Sequence, residues 1–209
     1  MMIVSIEVGE IRTEGDPGSD DPLAKQWTSA FGKVPVQGAV RLLTERIEGD
    51  QFGAPKYHGG VDKSALCYAA SHYDHWRLEL PDLTWGPGRM GENLTVSGMD
   101  ESTVCIGDVY EVGGARVQVS QPRQPCWKID RFHARAGILK RVVTTGRTGW
   151  YLRTLREGTL CAGDQFELIE RPHPDWTITQ TLNVFFGRDK TPGIKEQMRA
   201  LPELSKSFG

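Results

Sequence analysis

Apolar and polar residues alternate over short stretches along most of this chain, and glycine, proline or aspartate breaks nearly every stretch after a handful of residues. A period of two with frequent turn residues predicts β-strands, and strands without regularly interleaved helices favour a barrel or sandwich over βα units. The clearest case is Val109-Tyr110-Glu111-Val112, which alternates into Gly113-Gly114, after which Ala115-Arg116-Val117-Gln118-Val119 alternates out. A Gly-Gly pair supplies the positive φ angles of a tight hairpin. An internal echo supports the reading. The run from Val104 to Val112 resembles the run from Leu160 to Leu168, each with a Cys, then Gly-Asp, then an alternating stretch, so each predicts a Gly-Asp turn entering a strand.

Helical spacing is confined to a few places. Ser71 and Asp74 resemble a capping box opening a short helix that Pro81 stops. His72 and His75 lie on it at a spacing able to chelate a metal, but no third ligand is nearby, and a surface helix is the simpler reading. Asp130 is placed to cap a helix whose Ile138, Leu139, Val142 and Val143 form an apolar stripe before Gly146. After Arg171-Pro172-His173-Pro174 the pattern changes. Thr177 caps a helix with Ile178, Leu182, Phe185 and Phe186 on one side, Pro192 begins a second, and Pro202 opens a third. The expected organisation is a mainly β barrel domain over residues 1–172 and a small three-helix subdomain over 173–209, docked on the barrel or on another subunit. An exposed apolar face on that tail makes a homodimer the expectation.

Composition narrows the partners. Lys and Arg total 25 against 27 Asp and Glu in 209 residues, a net charge of −2 that predicts no general attraction to nucleic acid or to an anionic membrane. The first residues meet a charge before an apolar signal core forms, and no stretch approaches about 18 uncharged apolar residues. A soluble, unexported, cytoplasmic protein is therefore expected. Cys67, Cys105, Cys126 and Cys161 are widely separated, at none of the spacings of zinc, iron-sulfur or redox-dithiol sites, so free thiols are expected.

Four stretches have chemical interest. Gly86-Pro87-Gly88-Arg89-Met90-Gly91 satisfies G-x-G-x-x-G, but a short strand follows it where a dinucleotide site needs a long helix. Lys56-Tyr57-His58-Gly59-Gly60-Val61-Asp62-Lys63 exposes backbone amides between two lysines and a histidine, which suits an anion nest and equally an ordinary Gly-Gly turn. Gly91-Glu92-Asn93-Leu94 carries an amide that can read a heterocycle or simply bridge a loop. In Ser120-Gln121-Pro122-Arg123-Gln124-Pro125-Cys126-Trp127-Lys128, two prolines stiffen a segment that cannot continue as a central strand. Its cysteine, flanked by Arg123 and Lys128, is either a presented thiolate or a buried free thiol. Trp127 is either a stacking platform or a core residue.

Taken in order, K-x-H-G-G-x-x-x-x-A, G-E-N-L, I-G-D and V-x-Q-P-R-x-P-C resemble the MOSC domain, the C-terminal domain of molybdenum cofactor sulfurases, from about Val40 to Glu170. The tail is similar to the three-helix extension of the stand-alone YiiM-type members. The resemblance implies a β-barrel-like fold that binds the molybdenum cofactor (Mo-molybdopterin), with Cys126 as metal ligand and catalytic residue. It implies a reductase of N-hydroxylated small molecules such as 6-N-hydroxylaminopurine, converting N–OH to N–H. Lys56, His58 and the Gly59-Gly60 amides are the candidates for the pterin phosphate, Arg123 for the same anion or the metal's oxo groups, and Glu92 and Asn93 for the pterin edge. Gln121 joins them as part of the cysteine motif. Without a flavin, nicotinamide or iron-sulfur motif, electrons are expected from a separate reductase. Two other readings stay open, a cofactor carrier without turnover and a metal-free cysteine enzyme using Cys126 with His58 as base.

Overall fold

The structure, a computed structural model, describes residues 1–55 and 57–208. Its strands are β1 (Met2–Gly9), β2 (Arg12–Glu14), β3 (Trp27–Ser29), β4 (Lys33–Pro35), β5 (Val40–Leu42), β6 (Ala65–Ala69), β7 (Leu94–Ser97), β8 (Val109–Val112), β9 (Ala115–Pro122), β10 (Trp150–Arg156), β11 (Gly158–Leu160) and β12 (Phe166–Glu170). Its helices are α1 (His72–Glu79), α2 (Lys128–Phe132), α3 (Ile138–Thr145), α4 (Ile178–Phe185) and α5 (Ile194–Arg199).

The fold is mainly β, as the alternation predicts. Eight strands form one sheet in the order β12-β8-β9-β10-β6-β7-β1-β4, antiparallel except where β6 meets β7. The sheet curls back on itself, because Met2 bridges Gln165 and Ile3 N donates to Asp164 O at 2.9 Å, bringing β1 to the entry of β12. Ile3 and Ile6 both reach the core although strict alternation would put them on opposite faces. A register shift between Ile3 and Ser5 inserts one residue and re-aims the strand.

The predicted hairpin is present, with Val112 paired to Ala115. Gly113 sits at φ 53°, and a Cβ there would lie 2.4 Å from Asp164 Oδ2, so the turn admits no side chain. The internal echo is structural too. Cys105 N donates to Asp108 Oδ2 at 2.9 Å and Cys161 N to Asp164 Oδ2 at 2.7 Å, the same side-chain-closed turn twice. The two strands that follow, β8 and β12, are neighbours in the sheet.

Three local expectations need correction. Ser71 has helical φ and ψ and makes no capping bond, so α1 starts without a capping box. His72 is buried and bonds Glu101 at 2.6 Å, so it is not a surface residue. Asp130 lies inside α2 and still serves α3, because its carboxylate accepts from Gly137 N (3.0 Å) and Leu139 N (2.7 Å). The expectation for the proline segment holds: the pairing of β9 with β8 ends at Gln118, and Gln121 and Pro122 pair with β10 alone, with proline as the strand's last residue.

The tail is corrected as well. Thr177 does cap α4, accepting from Gln180 N at 3.0 Å, but among the described residues no third helix follows Pro202. The chain instead turns back as a strap in which Ser205 N donates to Ser120 O at 2.9 Å. Ile178, Leu182, Met198, Leu204 and Phe208 are buried in the same cluster as Ile3, Val117 and Trp150. That burial removes the ground for expecting the tail to form a dimer. No helix among the described residues is long and apolar enough to cross a membrane.

A second, aromatic cluster decides where the chemistry goes. Tyr68 of β6, Tyr73 and Trp76 of α1, Trp85, Ile129 of α2 and Ile138 and Val142 of α3 pack together on one side of the sheet. They clamp α2 and thereby the link from β9 that carries Cys126.

Candidate functional site

Two connected hollows open beside the end of β9. The inner cleft, with a cavity volume of about 60 Å³, is walled by Phe31, Lys33, Asp50, Asn93, Arg123 and Tyr151 among others. The outer groove, about 900 Å³, is walled by Lys25, Trp27, Gln121, Trp127, Arg131 and Ser207 among others. Gly53, His58, Lys63, Cys126, Lys128 and Tyr151 belong to both, so Cys126 stands where the two meet. Its thiol is half-buried, as a ligand-presenting sulfur must be.

The backbone that presents Cys126 is held at both ends. Arg123 N donates to Gly149 O at 3.0 Å just beyond the strand, and Ile129 N donates to Cys126 O at 3.2 Å as α2 begins. The Arg123 side chain turns inward, where Nη2 donates to Met90 O at 3.0 Å. Arg123 Nη1 is buried and has no hydrogen-bond partner among the described residues. An unmet buried guanidinium donor costs stability unless an anion or water meets it, so it marks a place for a negatively charged group.

The surroundings are cationic. Lys33 pairs with Asp50, which also accepts from Gly9 N at 2.7 Å and from Asn93 Nδ2 at 2.9 Å. Burial lowers the pKa of Lys33 from its ordinary value, and the same is true of Lys63. His58 is lowered to about 4, first by burial and then by Lys128, Arg123, Lys63 and Lys33, so it is neutral at neutral pH. Tyr151 is raised by burial and keeps its phenol proton. Below the cleft, burial raises Glu7 to about 8, and the neighbouring Glu92 adds to the shift.

Of the residues singled out in the sequence, His58, Gly59, Asn93, Arg123 and Cys126 come together around the inner cleft, and Gln121 joins Cys126 in the outer groove. The Gly59 Cα packs against the Phe52 ring, where a Cβ would approach to 2.3 Å. Gly60 lines neither hollow, and Lys56 lies outside the described residues. Glu92 is also elsewhere. Its carboxylate accepts from Tyr73 Oη, Gly88 N (2.9 Å), Met90 N (3.1 Å) and Thr95 Oγ1 (2.9 Å), so the G-x-G-x-x-G stretch is a turn wrapped around it. The Asn93 amide is spent in the same way, accepting from Leu66 N at 3.1 Å and donating to Asp50 and Glu7 O. Both are better read as braces of the cleft than as groups offered to a ligand.

Lys33, Asp50 and Tyr151 were not legible as site residues. None of the three lies in a motif that the sequence offers, and only the curl of the sheet brings them together. Trp127 proves to be 49% exposed, with its ring edge-on to Trp27 at 6.0 Å. It is a groove wall, not a core residue.

Residues 54–167 match the MOSC domain profile, inside the stretch on which the sequence resemblance rests. The chain is 40% identical over 195 residues to a Bacillus subtilis protein called "Uncharacterized protein YflK", covering 93% of this chain and 87% of that one. It is 36% identical over 184 residues to a Gibberella moniliformis protein named "Reductase", covering 86% of this chain but 32% of that protein, so the chain spans about a third of that relative's length. Among solved structures, YiiM from Geobacillus stearothermophilus superimposes with a TM-score of 0.81 at 31% identity, covering 99% of this chain and 94% of that one.

Proposed function

The chain belongs to the MOSC domain family, and from that premise we propose that it is a molybdenum-cofactor-dependent reductase of N-hydroxylated compounds, such as 6-N-hydroxylaminopurine, with Cys126 as the protein's ligand to the metal. The observation that carries this reading is the meeting, at one point, of a half-buried thiol and a basic cleft in which Arg123 Nη1 is buried and has no hydrogen-bond partner among the described residues.

The residues fit such a group. A thiolate suits a soft metal, and Cys126 is the cysteine on the cleft wall. Among the described residues no three His, Cys, Asp or Glu side chains converge on a metal-sized site, so a metal at Cys126 must bring further ligands of its own, as a pterin dithiolene does. Arg123 and Lys33 would hold the cofactor's phosphate or oxo groups, with His58 as a neutral hydrogen-bonding neighbour. When bound, the cofactor supplies two electrons and a metal for cleaving the N–O bond.

The protein's own tasks follow from the balance of the reaction, in which an N–OH group takes up two electrons and two protons and leaves as N–H and water. Both protons must be delivered at the cleft. Tyr151 Oη and Lys63 Nζ hold protons on the wall, and the burial that lowers the Lys63 pKa makes its proton easier to give up. His58 contributes a hydrogen bond without adding charge. Phe31 and Leu66 keep the inner cleft partly dry, which strengthens every charge interaction within it. The electrons come from a separate reductase in this reading, because the G-x-G-x-x-G stretch is a turn and the cysteines stand on separate elements.

The test is turnover by the full chain purified from cells that make the cofactor, with its molybdenum content measured. We expect reduction of 6-N-hydroxylaminopurine with an artificial low-potential donor, none with NADH or NADPH alone, and pyridine-nucleotide dependence restored by an added flavin or iron-sulfur reductase. Full metal loading without turnover from any donor would make the protein a carrier. Thiol chemistry without metal would make it a cysteine enzyme.

A further inference from the structure

The outer groove carries a charge pattern that the inner cleft does not explain. Among the described residues its wall holds Lys25, Lys63, Lys128 and Arg131 and no carboxylate, in a chain whose acidic residues outnumber its basic ones by 27 to 25. Lys25, Lys128 and Arg131 form no ion pair within 4.0 Å among the described residues. A concave wall of one sign focuses its field on an anion.

The same wall offers a flat apolar surface. Trp127 is about half exposed, and the Arg131 guanidinium lies 4.5 Å from its ring centroid. Arg131 is held there by a hydrogen bond from Nη1 to Lys25 O at 3.1 Å. An indole left in water beside a fixed cation, in a groove of about 900 Å³ that reaches Cys126, is suited to a ring that stacks and an anion that pairs.

We infer that the outer groove binds a flat heterocycle bearing a phosphate, so that the substrate is taken as a nucleotide and not as a free base, with its ring at Trp127 and its phosphate at Lys25, Lys128 and Arg131. The word substrate rests on the reductase reading above; the binding does not. A pterin cofactor shares this chemistry: Lys33 and Arg123 line only the inner cleft and Lys25 and Arg131 only the outer groove, but Lys63 and Lys128 line both, so the experiment must separate the two occupants.

The experiment is calorimetric titration of the full chain, cofactor-loaded and empty, with adenosine 5′-monophosphate and with adenosine. The loaded chain should prefer the monophosphate on the order of tenfold or more, and the preference should shrink as salt is raised. Trp127→Leu should weaken both ligands, and a Lys25→Gln, Arg131→Gln double variant that retains its circular dichroism spectrum should lose the preference. Equal affinity for the two ligands, or a preference that survives in the double variant, overturns the inference. Binding of the monophosphate by the empty chain alone also overturns it, because the groove would then be the pterin's place. A loaded chain that prefers the nucleotide but never reduces its N-hydroxylated form would sink the reductase reading and leave the groove assigned.

Discussion

Ser205 Oγ donates a hydrogen bond to Asp62 Oδ2 at 2.7 Å, joining the C-terminal strap to the turn that carries His58 and Lys63. Asp62 is further held by Arg153 Nε at 2.7 Å and, through its carbonyl, by Ser120 Oγ at 2.6 Å. The tail therefore braces the throat between the two hollows. Ser205→Ala should cost about 1 kcal/mol of unfolding free energy, and Asp62→Asn more, since it also weakens the bond to Arg153. Chemical denaturation measures the cost, and hydrogen exchange should speed up over residues 58–64 in both variants. Unchanged exchange there would show that the strap does not hold the turn.

The cysteines should separate cleanly. Cys126→Ser, produced where the cofactor is made, should fold and lose most of its molybdenum, because a neutral hydroxyl is a poor substitute for a thiolate. Cys105→Ser and Cys161→Ser should keep it, since each of those residues lies in a turn closed by an aspartate, away from both hollows. Equal metal content in all three variants would remove Cys126 as the ligand.

Arg123→Ala should weaken cofactor retention by on the order of tenfold, because a charge-assisted contact from a buried guanidinium is typically worth about 1.5 to 3 kcal/mol. Lys190→Ala, on the exposed part of the tail, should leave retention unchanged. Retention can be followed by released pterin fluorescence after gel filtration. Two variants that retain cofactor equally would take Arg123 out of the anion site.

Glu7 gives the protein an alkaline weakness. Its folded pKa of about 8 lies above its ordinary 4.5, so the folded state holds a proton that the unfolded state has lost between those values. Its stabilising effect is complete below about pH 4.5 and is lost as pH rises through 8. Glu7→Gln, which keeps the shape without the titration, should remove a loss on the order of a few kcal/mol between about pH 5 and 9. Parallel melting curves for the two proteins across that range would show that Glu7 does not titrate as described.

His58 acts in the opposite direction. Its pKa falls to about 4 on folding, so the unfolded chain binds the proton first and stability declines as pH drops from 6.5 toward 4. His58→Gln should flatten that decline. A variant with the same acid limb as the parent would mean that His58 is solvated and ordinary.

How much of this was written locally can be judged residue by residue. The Gly113-Gly114 hairpin, the twin Gly-Asp turns, the Thr177 cap and the Gly146 stop were all legible, because each is decided by φ angles and hydrogen bonds within a few positions. The MOSC motifs likewise mark Cys126, Arg123 and His58 from the sequence alone. Alternation says which residues share a face, but it does not say what lies opposite them. Glu92 and Asn93 looked like groups offered to a ligand until the sheet closed around them and gave every side-chain oxygen and nitrogen they have a partner within the fold. Lys33, Asp50 and Tyr151 meet only because β4, the segment after β5, and β10 converge when the sheet curls, and the third tail helix gave way to a strap because Leu204 and Phe208 gain more by entering the barrel's core than by turning on a helix of their own. Short-range geometry is therefore the sequence's to decide, whereas contacts between distant segments depend on burial that exists only once the whole sheet has formed.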